Sequence, residues 1–286
     1  LHDILTGKIT DWSAVGRDSK GPIHLFVQDD AAGTLDTAAG FVLGDASLAG
    51  GAKRLGSETD IAAAVAGNAD AIGVVSFGHA GTARTVPVAS GDAAPIEASE
   101  LTVSTEDYAL TRRLYLYTAQ VPGSTVVRRF AEYATSASGQ AVVEAAGFVP
   151  LTLRQTAVLV PEGASARFRA LIAGATRVSI DFRFQPGSTE LDSRSVHDID
   201  QLVGFLRREH VDGSRLILAG FADSLGAPQA NQIVSQRRVD AVVAALGRQG
   251  VTPGRTAVFG AELPVADNAT PEGRERNRRV EVYLLP

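Results

Sequence analysis

The chain has 286 residues, 45% of them hydrophobic and 21% charged, which allows two ordinary domains and argues against disorder. A formal net charge of −5 gives no overall basic field to hold nucleic acid, and no apolar run is long enough to span a bilayer. Cysteine is absent, which excludes disulfides and thiolate chemistry; methionine is absent too, and an opening at Leu1 reads as a processed or trimmed product with a part missing upstream.

Residues 23–27 predict a strand, and Ala32-Gly33-Thr34 leads into a helix through Phe41. Residues 59–65 predict a helix capped by Thr59 or Asp60. Residues 71–75 predict a buried strand and residues 112–117 another. An amphipathic helix follows over residues 125–137, with Val126, Val127, Phe130 and Tyr133 on one side. A further helix opens at Ser138-Gly139-Gln140 and stops at Gly147. Such alternation implies an α/β layer fold over residues 1–153.

Residues 154–176 read as a linker, punctuated by Pro161-Glu-Gly163. A second unit spans residues 177–286. Its elements are a strand over 177–182, a helix capped by Asp192 or Ser193, a strand over 215–219, a helix over 231–249, a short strand over 256–259 and a closing strand in which Val280, Val282 and Leu284 alternate with Glu281 and Tyr283. This is an α+β sandwich of order β-α-β-α-β-β.

The chemistry gathers in the second unit. The run Leu218-Ala-Gly-Phe-Ala-Asp223-Ser-Leu-Gly226 ends a strand in a carboxylate on a Gly-containing loop. Asn231 and Ser235-Gln-Arg-Arg238 follow on a helix, then Asp267-Asn268, then Gly273-Arg-Glu-Arg-Asn277-Arg-Arg-Val280 before the last strand. One anion and several cations around a small concavity suit a ligand bearing an ammonium and a carboxylate. Taken alone, a loop Asp and a helix Arg would more often be a surface ion pair. Gly273, Asn268 and Asn277 read as turn formers.

These motifs, with Phe182-Arg-Phe184 and Gly260-Ala-Glu262-Leu-Pro264, make residues 178–285 resemble the OmpA-like, Pal-like peptidoglycan-binding domain. The resemblance implies a non-enzymatic role: binding of peptidoglycan through the meso-diaminopimelate of its stem peptide, in the periplasm of a Gram-negative cell envelope. It assigns the contacts to Asp223, Asn231, Arg238 and a second basic position at Arg278 or Arg279. Adjacent side chains of a strand face opposite ways, so one of that last pair should face the ligand. Asp223 would accept from the ammonium, and Arg238 would hold the carboxylate bidentately. The sequence departs from the family at Ala222, where the family has Thr, and at Gln185-Pro-Gly187-Ser188, where it often carries Asp or Asn.

In the first unit, Leu5-Thr-Gly7-Lys-Ile-Thr-Asp-Trp12, Ala71-Ile-Gly73-Val-Val75 and Ser138-Gly-Gln140 with Gly147-Phe-Val-Pro150 resemble PstS-like periplasmic phosphate-binding proteins. That implies a type II periplasmic-binding-protein fold with its first lobe incomplete here. The family's anion loop aligns with residues 28–34. Asp30, Gly33 and Thr34 match it as candidates for oxyanion binding, whereas Gln28 replaces the Arg and Ala32 a Ser. Asp30 and Thr34 read equally as helix caps, and Trp12 as core packing.

No cofactor or metal is implied. His2, His24, His79, His197 and His210 lack ligand spacing, and there is no nucleophile elbow or P-loop. Glu190 and Asp192 lie where a helix cap is expected, which speaks against a hydrolase dyad. Two readings follow. In the first, the chain anchors a substrate-binding-protein-like module to the cell wall. In the second, it is a receptor for phosphate or another oxyanion, tethered by the C-terminal domain.

Overall fold

The computed structural model describes residues 1–18, 20–29, 33–119, 123–185 and 188–286. The helices are α1 (His2–Leu5), α2 (Gly33–Val42), α3 (Glu58–Ala66), α4 (Glu100–Ser104), α5 (Thr125–Thr135), α6 (Ala137–Ala145), α7 (Ala166–Ile172), α8 (Ser193–Arg208), α9 (Pro228–Arg248) and α10 (Pro271–Asn277). The strands are β1 (His24–Gln28), β2 (Lys53–Leu55), β3 (Ala71–Gly73), β4 (Gln155–Ala157), β5 (Thr176–Arg183), β6 (Leu216–Gly220), β7 (Arg255–Val258) and β8 (Arg279–Leu284). Among the described residues no helix is long and apolar enough to cross a membrane. The chain divides into two compact units, Leu1–Val86 with Arg112–Pro150, and Pro87–Thr111 with Leu151–Pro286.

The first unit is a parallel α/β sheet of order β2-β1-β3. Leu25 and Val27 of β1 pack with Leu5 and Leu43 in its core. Helix α3 starts one residue earlier than its pattern suggests, because Ser57 is the cap and accepts the Asp60 N–H at 3.1 Å. The two helices expected later in this unit are both present, with their boundary shifted: α5 ends at Thr135 and α6 opens at Ala137. Ser136 has extended backbone and accepts the Gly139 N–H at 3.2 Å, so it ends α5 and caps α6. Residues 112–117 form no strand. Among the described residues neither sheet includes them, and Leu114, Tyr115, Leu116 and Tyr117 are exposed. Alternating apolar residues make a strand only where a neighbour satisfies the backbone.

The second unit is a mixed five-stranded sheet of order β4-β5-β8-β6-β7, parallel only between β6 and β7. Val178, Ile180 and Phe182 of β5, Leu216 and Leu218 of β6, and Val280, Val282 and Leu284 of β8 face α8 and α9. Gly220 lets α9 approach, since a Cβ there would lie 3.1 Å from the Ser235 carbonyl. Asp192 caps α8 by accepting the Ser195 N–H at 2.6 Å.

The other sheet face is also buried. Helix α7 lies in the stretch read as linker, and its Phe168 packs edge-on against Phe221, Phe259 and Tyr283. Beside it, β5 and β8 carry an ionic ladder. Arg177 pairs with Asp181, Arg279 with Glu281 at 2.7 Å, and Arg183 with Asp107 at 3.1 Å. Residues 87–111 supply Asp107 and lie within this unit, with α4 against β5. Arg154 reaches Glu100 at 2.7 Å and Arg194 reaches Glu106 at 3.3 Å.

Candidate functional site

The C-terminal end of β6 and the entry to β8 hold the predicted cluster. Strand β6 is buried throughout, and its chain continues through Phe221 and Ala222 into Asp223. The Asp223 carboxylate accepts the Leu225 N–H at 2.9 Å on Oδ1 and Arg278 Nη1 at 2.9 Å on Oδ2. Both side chains are about nine-tenths buried, at 13% and 12% exposed. Gly226 closes the loop at φ +92°, and a Cβ there would stand 3.9 Å from Asn231 Oδ1, which places Asn231 beside the loop on the first turn of α9.

Arg238 sits two turns further along α9 and is 3% exposed. Its guanidinium lies over the Phe184 ring at 5.5 Å and donates from Nη2 to the Ser188 carbonyl at 3.3 Å. Burial, then the like charge of Arg278, pull its pKa down to about 10, and Asp223 opposes them only in part. The Nε–H groups of both Arg238 and Arg278 are buried without a hydrogen-bond partner. Two guanidinium groups thus face one carboxylate, and the cluster carries an excess positive charge together with spare donors.

Arg279 is elsewhere. Being one residue on, it points to the opposite sheet face, where its guanidinium stacks 4.1 Å from the Phe221 ring centroid and bonds Glu281 and the Leu263 carbonyl. Asp223, Asn231, Arg238 and Arg278 come together, and Arg279 does not join them.

The residues read as turn formers support the loop. Asn277 is fully buried and accepts the Val265 and Ala266 N–H groups at 2.8 and 3.0 Å, while its Nδ2 donates to the Ala266 carbonyl and to Asn268 Oδ1. Asn268 Oδ1 in turn accepts the Ser224 N–H at 3.0 Å, next to Asp223. The sequence signal for this link is the Asp267-Asn268 pair followed by Asn277 just before the basic run. Ala222 is 5% exposed, so its methyl is packed away.

In the first unit, Gly33 opens α2 and Thr34 follows it; Asp30 lies outside the described residues. A Cβ at Gly33 would stand 3.5 Å from Arg112 Nη2, so a guanidinium lies near this helix start although Gln28 has replaced the expected Arg. A carboxylate is also near. Burial would raise the Glu58 pKa, but hydrogen bonds from Ser76 and Thr34 and the neighbouring His79 outweigh it and hold Glu58 low. His79 Nδ1 lies 3.1 Å from Glu58 and 2.8 Å from Ser76 Oγ. Trp12 donates from its indole to the Asp70 carbonyl at 2.9 Å, a structural role. Among the described residues no group of three or more His, Asp or Glu side chains is gathered to hold a metal ion.

Comparison with known proteins adds to this geometry. Residues 183–278 match the OmpA family and residues 1–138 a PBP superfamily domain. The chain is 40% identical over 117 residues to outer membrane porin F of Pseudomonas fluorescens, covering 40% of this chain and 35% of that protein. It is 31% identical over 110 residues to the peptidoglycan-associated lipoprotein of Pseudomonas putida, covering 38% and 64%. An ABC-type phosphate transport receptor from Vibrio cholerae aligns with TM-score 0.43 at 19% identity, over 52% of this chain and 60% of that one. The chain spans about a third of the length of the porin F proteins it matches. Both matched families are binding domains and not enzymes. Residues 183–278 are therefore similar to the OmpA family, and residues 1–138 to the PBP superfamily.

Proposed function

We propose that the C-terminal domain binds peptidoglycan non-covalently through the free end of meso-diaminopimelate, and so holds the N-terminal domain at the cell wall in the periplasm. The observation that carries this reading is the pair of unpartnered guanidinium Nε–H groups on Arg238 and Arg278 around the single carboxylate of Asp223. A ligand carboxylate would accept from the spare donors and offset the burial and the like charge of Arg278 that together depress the Arg238 pKa. Asp223 has lone pairs left for an ammonium after accepting from Leu225 and Arg278. Asn231 stands at the loop side of this clamp. The name of the Pseudomonas putida relative, a peptidoglycan-associated lipoprotein, agrees with this reading.

Isothermal titration of the whole chain with meso-diaminopimelate tests it. Binding is expected for the natural chain, with a loss of at least about thirtyfold, on the order of 2 kcal/mol or more, in Asp223→Ala. No heat, or equal affinity in the variant, would overturn it.

A second reading, capture of phosphate or a similar oxyanion by the first unit, is favoured by Arg112 beside Gly33 at the start of α2. Glu58 on Thr34 works against it, because a carboxylate already takes that hydroxyl. Titration with inorganic phosphate separates the two readings.

A further inference from the structure

We infer that residues 87–111 are a positioning strap for the C-terminal site, and that Gly91 is the residue through which the strap acts; this rests on the meso-diaminopimelate reading above. Although they fall within the span of the PBP superfamily match, these residues pack in the second unit. Val88 and Ile96 exchange backbone hydrogen bonds at 3.0 Å each, which pins the turn between them. At the tip of that turn Ser90 Oγ accepts the Asp267 N–H at 3.2 Å. Gly91 has φ +56°, and a Cβ on it would lie 2.6 Å from Asp267 Cβ, so only glycine lets the strap come this close. On the other side a Cβ at Gly273 would lie 2.9 Å from the Asp267 N. Asp267 is therefore held between two glycines.

The next residue carries the effect to the site. Asn268 Oδ1 accepts the Ser224 N–H, and Ser224 adjoins Asp223. The strap also holds the second arm of the clamp. Arg276, two residues before Arg278, donates to the Ala109 carbonyl at 3.2 Å, and Arg183 bridges the Arg276 carbonyl and the Thr105 carbonyl. Both partners of the Asp223–Arg278 pair are thus tied to one segment that carries no ligand-binding group itself.

The test uses the full chain with Gly91→Ala and, as a milder change that adds no atoms, Ser90→Ala. Gly163→Ala is the control: it also has positive φ, +82°, in the same unit, but a Cβ there meets nothing within 4 Å. Two readouts are taken, affinity for meso-diaminopimelate and amide hydrogen exchange of residues 221–226. Gly91→Ala is expected to weaken binding by about tenfold and to speed exchange in that loop, with Ser90→Ala smaller in the same direction and Gly163→Ala unchanged. If the natural chain binds no ligand, the binding reading fails, but exchange still tests the strap. Unchanged exchange at residues 221–226 in both Gly91→Ala and Ser90→Ala, or an equal change in Gly163→Ala, overturns the strap.

Discussion

At the scale of single residues, the site depends on the shape of its cations as well as their charge. Arg238 is held by the Phe184 ring and by the Ser188 carbonyl, with Nε free of any hydrogen-bond partner. Lysine would keep the charge but lose the fork that grips two carboxylate oxygens, and its compact, strongly hydrated head is costlier to bury. Arg238→Lys is therefore expected to lower meso-diaminopimelate affinity by about tenfold or more while leaving the circular dichroism spectrum unchanged; equal affinity would show that only charge is read. The members of this cluster are legible in the sequence, because Asp223, Asn231, Arg238 and the basic run lie in order around strand ends. The choice between Arg278 and Arg279 is not. Strand alternation says the two face opposite ways, but the register that turns Arg278 toward Asp223 is set by β8 pairing with β6, Gly220 opposite Val280.

At the scale of elements, the second sheet face is where local pattern misleads. Arg177, Asp181 and Arg183 alternate with apolar residues along β5, as do Arg279 and Glu281 along β8, and such alternation reads as a solvated face. Here it is buried, because α7 and residues 87–111 bring aromatic rings and counter-charges from far away in the chain. Burying charges without pairing them would cost several kcal/mol each, so the ladder is paired almost throughout. Asp181 is the strained member. It is fully buried, and its Oδ2 accepts no hydrogen bond. Burial, with the like charge of Asp107, raises its pKa to about 6 against the attraction of Arg177 and Arg183. Glu281 goes the other way: burial opposes its charge, but Arg279 and Arg177 outweigh burial and hold it low. The signs then separate. Between the ordinary Asp value of 3.8 and about 6 the folded chain keeps a proton that the unfolded chain has lost, so the Asp181 contribution to stability falls as pH rises through that window. The Glu281 contribution is present above its ordinary value of 4.5 and is lost as pH falls toward its lowered folded value. Denaturant unfolding of the natural chain and Asp181→Asn between about pH 4 and 6.5 checks this. Relative to the variant, the natural chain should lose stability as pH rises; parallel curves would mean Asp181 is charged throughout.

At the scale of the whole molecule, the two units differ in how fully they use their apolar residues. The second unit buries both faces of its sheet. In the first unit, α5 has no buried residue, although Val126, Phe130 and Tyr133 recur at helical spacing on one side. Nearby in sequence, residues 114–117 are apolar and exposed, with no strand partner among the described residues. An amphipathic helix gains most of its stability by covering its apolar stripe, and an exposed stripe of this kind is uncommon on a soluble monomer. The strand and helix patterns in residues 112–137 are legible in the sequence, but neither pattern says what satisfies it, since a partner is a matter of tertiary structure. The exposed stripe has a measurable consequence. The purified chain should bind a hydrophobic dye and associate as its concentration rises, and Val126→Glu with Phe130→Glu should reduce both. Those two positions lie on the first unit, so affinity for meso-diaminopimelate should stay as in the natural chain. Sedimentation velocity over a concentration series decides the matter: association that is unaltered by the double substitution would place the sticky surface somewhere other than α5.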